Sequence, residues 1–241
     1  MGNILTDILN LLLPHHCSIC GSRLNENENS ICLACLMDLP RTNAHLMDEN
    51  PIEKLFWTHL PIERATSFMF HEGQNSRLSI YKTKYYGRPE VGKALTRIMA
   101  RELMDTDFFD GIDIIIPIPL HWRRQMSRGF NQSDYIAEGI SEVTGIKVDK
   151  SIVKRANYTE KQALKHLEER KRNVEGAFRL VCPEKVSGKH VLLVDDVITT
   201  GSTTIECGKE ICKNNDVKIS IISLNYAGEK FTSVQANMED D

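Results

Sequence analysis

What the chain lacks narrows its chemistry first. No apolar run is long enough to span a bilayer, so no membrane span is expected. Positive charge is not in excess: 30 Lys and Arg stand against 33 Asp and Glu, a net charge of −3. That excludes a globally basic coat for nucleic acid, although not a local basic face. No basic n-region precedes the apolar residues near the N-terminus, and no small-residue cleavage site follows them. The expected location is therefore cytoplasmic. In a reducing compartment, disulfides are a poor account of the seven cysteines. The Gly-Lys-Ser/Thr of a Walker loop and the dinucleotide Gly-rich fingerprint are also missing, and no internal repeat is visible.

What is present fits a soluble globular chain of 241 residues, 41% hydrophobic and 26% charged. That length holds one core of ordinary size and a small appendage. The reading divides it into an N-terminal helix and metal-binding knuckle at 1–45, a main body at 46–228, and an acidic tail at 229–241. Ile4, Leu5, Ile8, Leu9 and Leu11 to Leu13 predict an amphipathic helix that docks on the body and stops before Pro14.

Cys17, Cys20, Cys32 and Cys35 form two C-x2-C pairs separated by eleven residues. Each pair can aim two thiolates at one ion, and two pairs complete a tetrahedron with no open position. This is the pattern of a structural Zn2+ site.

Beyond it, strands and helices alternate. Ala65–His71, Asp113–Ile118, Val191–Val194 and Val217–Leu224 read as strands; Gln132–Val143 and Ser202–Lys213 read as helices. Continuously apolar strands separated by helices predict an α/β fold, a mostly parallel sheet with helices on both faces.

The segment richest in chemistry runs from Val191 to Thr204. A buried strand reaches two carboxylates, Asp195 and Asp196, and then a loop of Val197, Ile198, Thr199, Thr200, Gly201, Ser202 and Thr203 opens a helix. Ligands of open α/β sheets bind at carboxyl ends of strands, and a helix N-terminus attracts phosphate. Adjacent strand residues face opposite ways, so the strand is expected to end before both acids can meet one ligand. A phosphate loop beside two anions points to a phosphorylated sugar, with the acids accepting hydrogen bonds from its hydroxyls. Arg123, Arg124 and Arg128, with His121, form a dense positive spot suited to a pyrophosphate.

Val191–Thr204 resembles the phosphoribosyl pyrophosphate (PRPP) motif of type I phosphoribosyltransferases. The resemblance implies that Asp195 and Asp196 hold the ribose 2- and 3-hydroxyls and that Val197–Thr203 cradle the 5-phosphate. The run from Pro117-Ile-Pro119-Leu-His121 through Arg123-Arg124 to Arg128-Gly129-Phe130-Asn131-Gln132 resembles the signature of the ComF family, competence-associated phosphoribosyltransferase-like proteins. Lys84-Tyr85-x-Gly87, Arg155, Thr159, Gln162, Arg170, Asn173-Val174, Gly176-Ala177-Phe178 and the four-cysteine knuckle also follow that family's order. The resemblance implies a type I phosphoribosyltransferase-like fold and a PRPP site with Mg2+. It implies transfer of the phosphoribosyl group to a nitrogen acceptor with release of pyrophosphate. Arg123 and Arg124 would steady the leaving group, with His121, Arg128 and Lys84 also touching substrate. Residues 158–172 would then form a mobile hood over it.

A second reading comes from the stretch between Arg77 and Arg101, where seven Lys or Arg residues meet one acid, Glu90, and Tyr81, Tyr85 and Tyr86 interleave. Cations among aromatics suit single-stranded DNA. With the family's link to DNA uptake, this makes a competence factor with a regulatory PRPP site the alternative, and a DNA-uptake helicase a candidate partner. Cys182, Cys207 and Cys212 carry no ligand spacing and read as packing residues or plain thiols.

Overall fold

The computed structural model describes residues 15–25, 28, 30–71, 89–120, 126–127, 129–155, 176–213 and 215–231. The expected N-terminal helix at 4–13, the basic and aromatic residues 77–88, the hood at 158–172 and most of the acidic tail lie outside the described residues. So do Lys84, His121, Arg123, Arg124 and Arg128.

The chain begins with the cysteine knuckle, whose second half is a short helix α1 (Leu33–Met37), and passes through α2 (Pro51–Lys54) to β1 (Ile62–Phe70). Then come α3 (Glu90–Leu103), β2 (Ile114–Pro117), α4 (Gln132–Thr144), β3 (Val153–Arg155), β4 (Phe178–Leu180), β5 (His190–Ile198), α5 (Ser202–Cys212) and β6 (Lys218–Tyr226). Four strands form one parallel sheet in the order β1-β6-β5-β2, while β3 and β4 pair antiparallel in a sheet of their own.

Parallel strands have apolar side chains on both faces because helices cover both. In β5, Leu192 and Val194 face the cluster built with α3 and α4, through Leu95, Met99, Ile136 and Ile140. Val191 and Leu193 face the opposite cluster, with Phe56, Ile205 and Ile211. Each such buried side chain contributes about 1.5–3 kcal/mol of transfer free energy. Pro117 cannot donate to a strand ladder, and it sits at the last position of β2, opposite Val194.

The knuckle is tied to the body. Ile19, Ile31 and Leu39 join the α3 side of the core. Phe70 donates its backbone N–H to the Pro40 carbonyl at 2.8 Å, and Thr42 donates to Phe68 at 3.2 Å. The Arg41 guanidinium lies 4.1 Å over the Phe68 ring and pairs with Glu102 at 2.5 Å. No helix among the described residues is long and apolar enough to cross a membrane.

Candidate functional site

The central strand carries the acids, and its neighbour gives them room. β5 does not stop before Asp195: it continues to Ile198, paired with β6 through Asp195 with Ser223 and Val197 with Asn225. The expectation that the strand ends at the acids is corrected here. It is β2 that ends, at the Val194 level, where Ile118 donates its N–H to the Val194 carbonyl at 2.9 Å. Beyond that point one side of β5 has no strand among the described residues, and a cavity of about 390 Å³ opens. Both acids line it, although alternation sends them to opposite faces of the strand. Asp195 accepts a hydrogen bond from the Thr204 hydroxyl at 3.3 Å on the α5 side, and its Oδ1 accepts the Asp196 N–H at 2.8 Å.

The turn after β5 is built to leave backbone N–H groups open. Gly201, the residue before α5, has φ +72° in the left-handed region, and no side chain caps the helix. An added Cβ at Gly201 would lie 2.9 Å from Phe56 Cε1, so this position needs glycine for both conformation and space. Val197, Thr199 and Thr203 line the cavity. Thr200 and Ser202 are exposed, with their hydroxyls 2.6 Å apart. Ile198 turns its side chain into the core, which leaves only its backbone to the turn.

Other elements complete the walls. Pro119 and Leu120 come from the exit of β2, and Asn131, Gln132 and Ser133 from the start of α4. Asn131 holds this corner in place, donating from Nδ2 to the Ile118 carbonyl at 3.1 Å and to Asp134 at 2.8 Å. Burial pushes the Asp134 carboxyl up, against the pull of Lys150 and Asn131.

Arg155, at the end of β3, and His71, just past β1, also line the cavity. Residue reading gave neither a role. Arg155 falls in the family's order, but beside Lys154 its charge reads as an ordinary basic pair, and only the fold brings it to the cavity wall. Its guanidinium lies 5.1 Å from the Phe178 ring centre.

The cysteine cluster is the second constellation. The four Sγ atoms of Cys17, Cys20, Cys32 and Cys35 all lie within 4.8 Å of one another, and the Cys20 and Cys32 sulfurs are 3.6 Å apart. Four sulfurs around a zinc ion sit about 3.8 Å apart. Backbone N–H groups of Ile19 and Cys32 point at the Cys17 sulfur at 3.4 Å, and that of Cys35 at the Cys32 sulfur at 3.4 Å. Hydrogen bonds from Ser22 draw Cys20 down to about 6, whereas burial pushes Cys35 up. A bound cation would override that ordering, since coordinated thiols are deprotonated outright. The donor set fits a closed, thiolate-rich metal site.

Fold and sites together define an α/β protein with an open cavity at the carboxyl end of a parallel sheet and a metal-type cysteine knuckle packed on the α3 side of the core. The chain belongs to the ComF family. It is 33% identical over 208 residues to DNA utilization protein YhgH of Shigella flexneri, a match covering 85% of this chain and 87% of that protein. It is 29% identical over 216 residues to Competence protein F of Haemophilus influenzae, covering 88% and 85%. No protein-family model matches the chain. Among solved structures, adenine phosphoribosyltransferase from Leishmania donovani aligns at 13% identity and a TM-score of 0.38, over 80% of this chain and 89% of that one. The allosteric regulatory enzyme of purine biosynthesis aligns at 20% identity and a TM-score of 0.38; the match covers 58% of this chain and only 29% of that one.

Proposed function

We propose that the chain binds PRPP in the strand-end cavity and transfers its phosphoribosyl group to a nitrogen acceptor, releasing pyrophosphate. The observation that carries this is the convergence of Asp195, Asp196, Thr199 and Thr203 on one cavity of about 390 Å³. That volume suits a small ligand. The 5-phosphate sits at the uncapped N-terminus of α5, where backbone N–H groups and the hydroxyls of Thr199, Thr200, Ser202 and Thr203 donate to it. The acids accept hydrogen bonds from the ribose hydroxyls. The bond between C1 and the pyrophosphate oxygen breaks with its electron pair leaving on the pyrophosphate. The ring gains positive charge, which the fixed negative field of Asp195 and Asp196 favours, and a nitrogen lone pair then closes on C1. Arg155 is the cation on the described wall; the ComF resemblance adds Arg123 and Arg124 at the leaving group.

The carboxylates of Asp195 and Asp196 are hard oxygen donors of the kind that would suit Mg2+ arriving with PRPP. When bound, the ion spreads the charge of the pyrophosphate. In the knuckle, Cys17, Cys20, Cys32 and Cys35 hold Zn2+ as a structural ion. Reduced thiols suit a cytoplasmic protein.

Calorimetry with PRPP and Mg2+, followed by pyrophosphate release over a panel of amines and nucleobases, tests this reading. Heat with PRPP and ribose 5-phosphate supports it; no heat with either removes it.

A second reading has its own observation. His15 and His16 of the knuckle and Arg97 and Arg101 of α3 line one groove of about 790 Å³ with apolar Leu24, Ile31 and Leu36. Glu28 also lines the groove and Arg97 pairs with Glu142 at 3.4 Å, so Arg101 is the cation offered to a single-stranded nucleic acid there, with the sugar-phosphate site then regulatory. Salt-dependent binding of a labelled oligonucleotide tests it, and Arg101→Ala should make the log–log slope shallower by about 1.

A further inference from the structure

The groove between the knuckle and α3 has an apolar lining that the core covers only in part. Leu24 and Leu36 from the knuckle and Ile98 from α3 are half-buried against the core and also line the groove. Leu33, the first residue of α1, lines it as well and is 62% exposed. At about 790 Å³ the groove is larger than the strand-end cavity. An aliphatic surface of that extent marks a place that something covers.

The point at which the described chain begins says what covers it. His15 and His16 line the groove. They are held there: His16 pairs antiparallel with Arg23, and the His15 carbonyl accepts the Leu24 N–H at 2.8 Å. Residues 1–14 therefore join the body at the groove itself. In that segment Ile4, Leu5, Ile8, Leu9 and Leu12 recur at helical spacing, with Thr6, Asp7 and Asn10 on the other side. Pro14 stops the helix just before the anchored pair. Ten helical residues span about 15 Å and are marginal alone in water, so their order depends on a surface for the apolar stripe. The segment carries no Lys or Arg and one acid, Asp7, which suits a groove holding Arg101 better than an anionic lipid surface. A tether that starts on the groove wall gives an effective concentration in roughly the millimolar range, which a second copy at micromolar concentration does not match.

We infer that residues 4–13 seat as an amphipathic helix in the groove between the knuckle and α3, with the apolar stripe on Leu33, Leu36 and Ile98. The chain's own N-terminus is then the occupant of that face. A seated segment and a nucleic acid at Arg101 exclude one another, so the segment acts as a gate on the groove.

Amide hydrogen exchange on the full chain, read by mass spectrometry of the N-terminal peptide, tests this. In the wild type the amides of residues 4–13 should exchange at least about tenfold more slowly than those of an unstructured chain. Leu33→Glu, at an exposed position of the groove wall, should return them to within about twofold of the unstructured rate. Leu9→Glu should do the same from the other side of the contact, whereas Asn10→Lys, on the polar side, should leave the protection in place. Zinc content at the wild-type level shows that the knuckle has kept its fold in each variant. Exchange at the unstructured rate in the wild type overturns the inference. So does protection that ignores Leu33→Glu, which would seat the segment elsewhere. Protection that grows with protein concentration between about 1 and 100 μM also overturns it and makes a second copy the occupant. No nucleic acid enters this experiment, so its outcome is separate from that of the oligonucleotide test.

Discussion

The knuckle and the strand-end cavity arrange acidic side chains in opposite ways. In the knuckle, four soft sulfur ligands converge within 4.8 Å, three of them buried, enough to fill a tetrahedral ion's coordination. At the strand end, two hard carboxylates border an open cavity of about 390 Å³. A closed ligand set devotes its binding energy to holding the chain; an open one keeps it for a ligand. The two sites also differ in what orders them. The cavity is framed by a parallel sheet with apolar clusters on both faces, whereas among the described residues the knuckle adds Ile19, Ile31 and Leu39, with the half-buried Leu24 and Leu36, to the core around its cysteines.

The largest expected effect tests the closed site. Purified protein should carry about one zinc per chain, and Cys17→Ser or Cys32→Ser should lose it, as read by metal analysis. If the two regions are independent, PRPP affinity in that variant stays within about threefold. A collapse of PRPP binding on zinc loss would break the comparison and make the knuckle part of the site.

The reciprocal experiment is next in size. Asp195→Asn with Asp196→Asn should remove measurable PRPP binding, a loss of at least about a hundredfold if two charge-assisted hydrogen bonds of about 1.5–3 kcal/mol each disappear. Zinc content should stay at the wild-type level and the melting temperature within about 3 °C. Undiminished PRPP binding would refute the role of the acids.

Gly201→Ala asks how tightly the open site is coupled to its scaffold. The new methyl meets Phe56, which is fully buried, and the left-handed φ of +72° costs an L-residue about 1–2 kcal/mol before any contact is counted. Thermal melting should fall by roughly 3–8 °C, with PRPP affinity reduced because the turn must shift. Zinc content should be unaffected.

Much of this contrast could be read from residues alone, for separate physical reasons. The cysteine spacing was legible because ligand geometry is local: two short loops need only four positions. The sheet was legible because strands covered on both faces become unbroken apolar runs. The acids marked the site and also hid the extent of β5. They interrupt the apolar run at Val194, while the strand continues to Ile198 on backbone pairing with β6. Backbone pairing leaves no side-chain signature, and the bonds from Pro40 and Thr42 to β1 leave none either. The β3–β4 pair joins three-residue strands far apart in the chain, below what periodicity can detect, and Arg155 and its place in the cavity were hidden with it.

The smallest effect concerns acid, at the edge of the sheet. Ile115 in β2 bonds to Lys147, and Asp149 bonds back to Ile115, so residues 147–149 extend the edge beyond β2. The Asp149 carboxylate meets Lys185 at 2.7 Å and the Ser151 N–H at 2.8 Å. Burial pushes this carboxyl up, but the Lys185 and Ser151 hydrogen bonds outweigh it and hold it at about 2. An aspartate in an unfolded chain titrates near 3.9, so the folded state binds the proton more weakly. The stabilisation is therefore complete above about pH 4 and is lost as pH falls toward 2. Lys185 is largely solvent-exposed, which limits the gain. Asp149→Asn should lower the melting temperature by no more than about 3 °C at pH 6, and the difference should close by about pH 2. A gap that persists undiminished at that pH would show that the side chain acts through hydrogen bonds to Ser151 that survive protonation, and not through its charge.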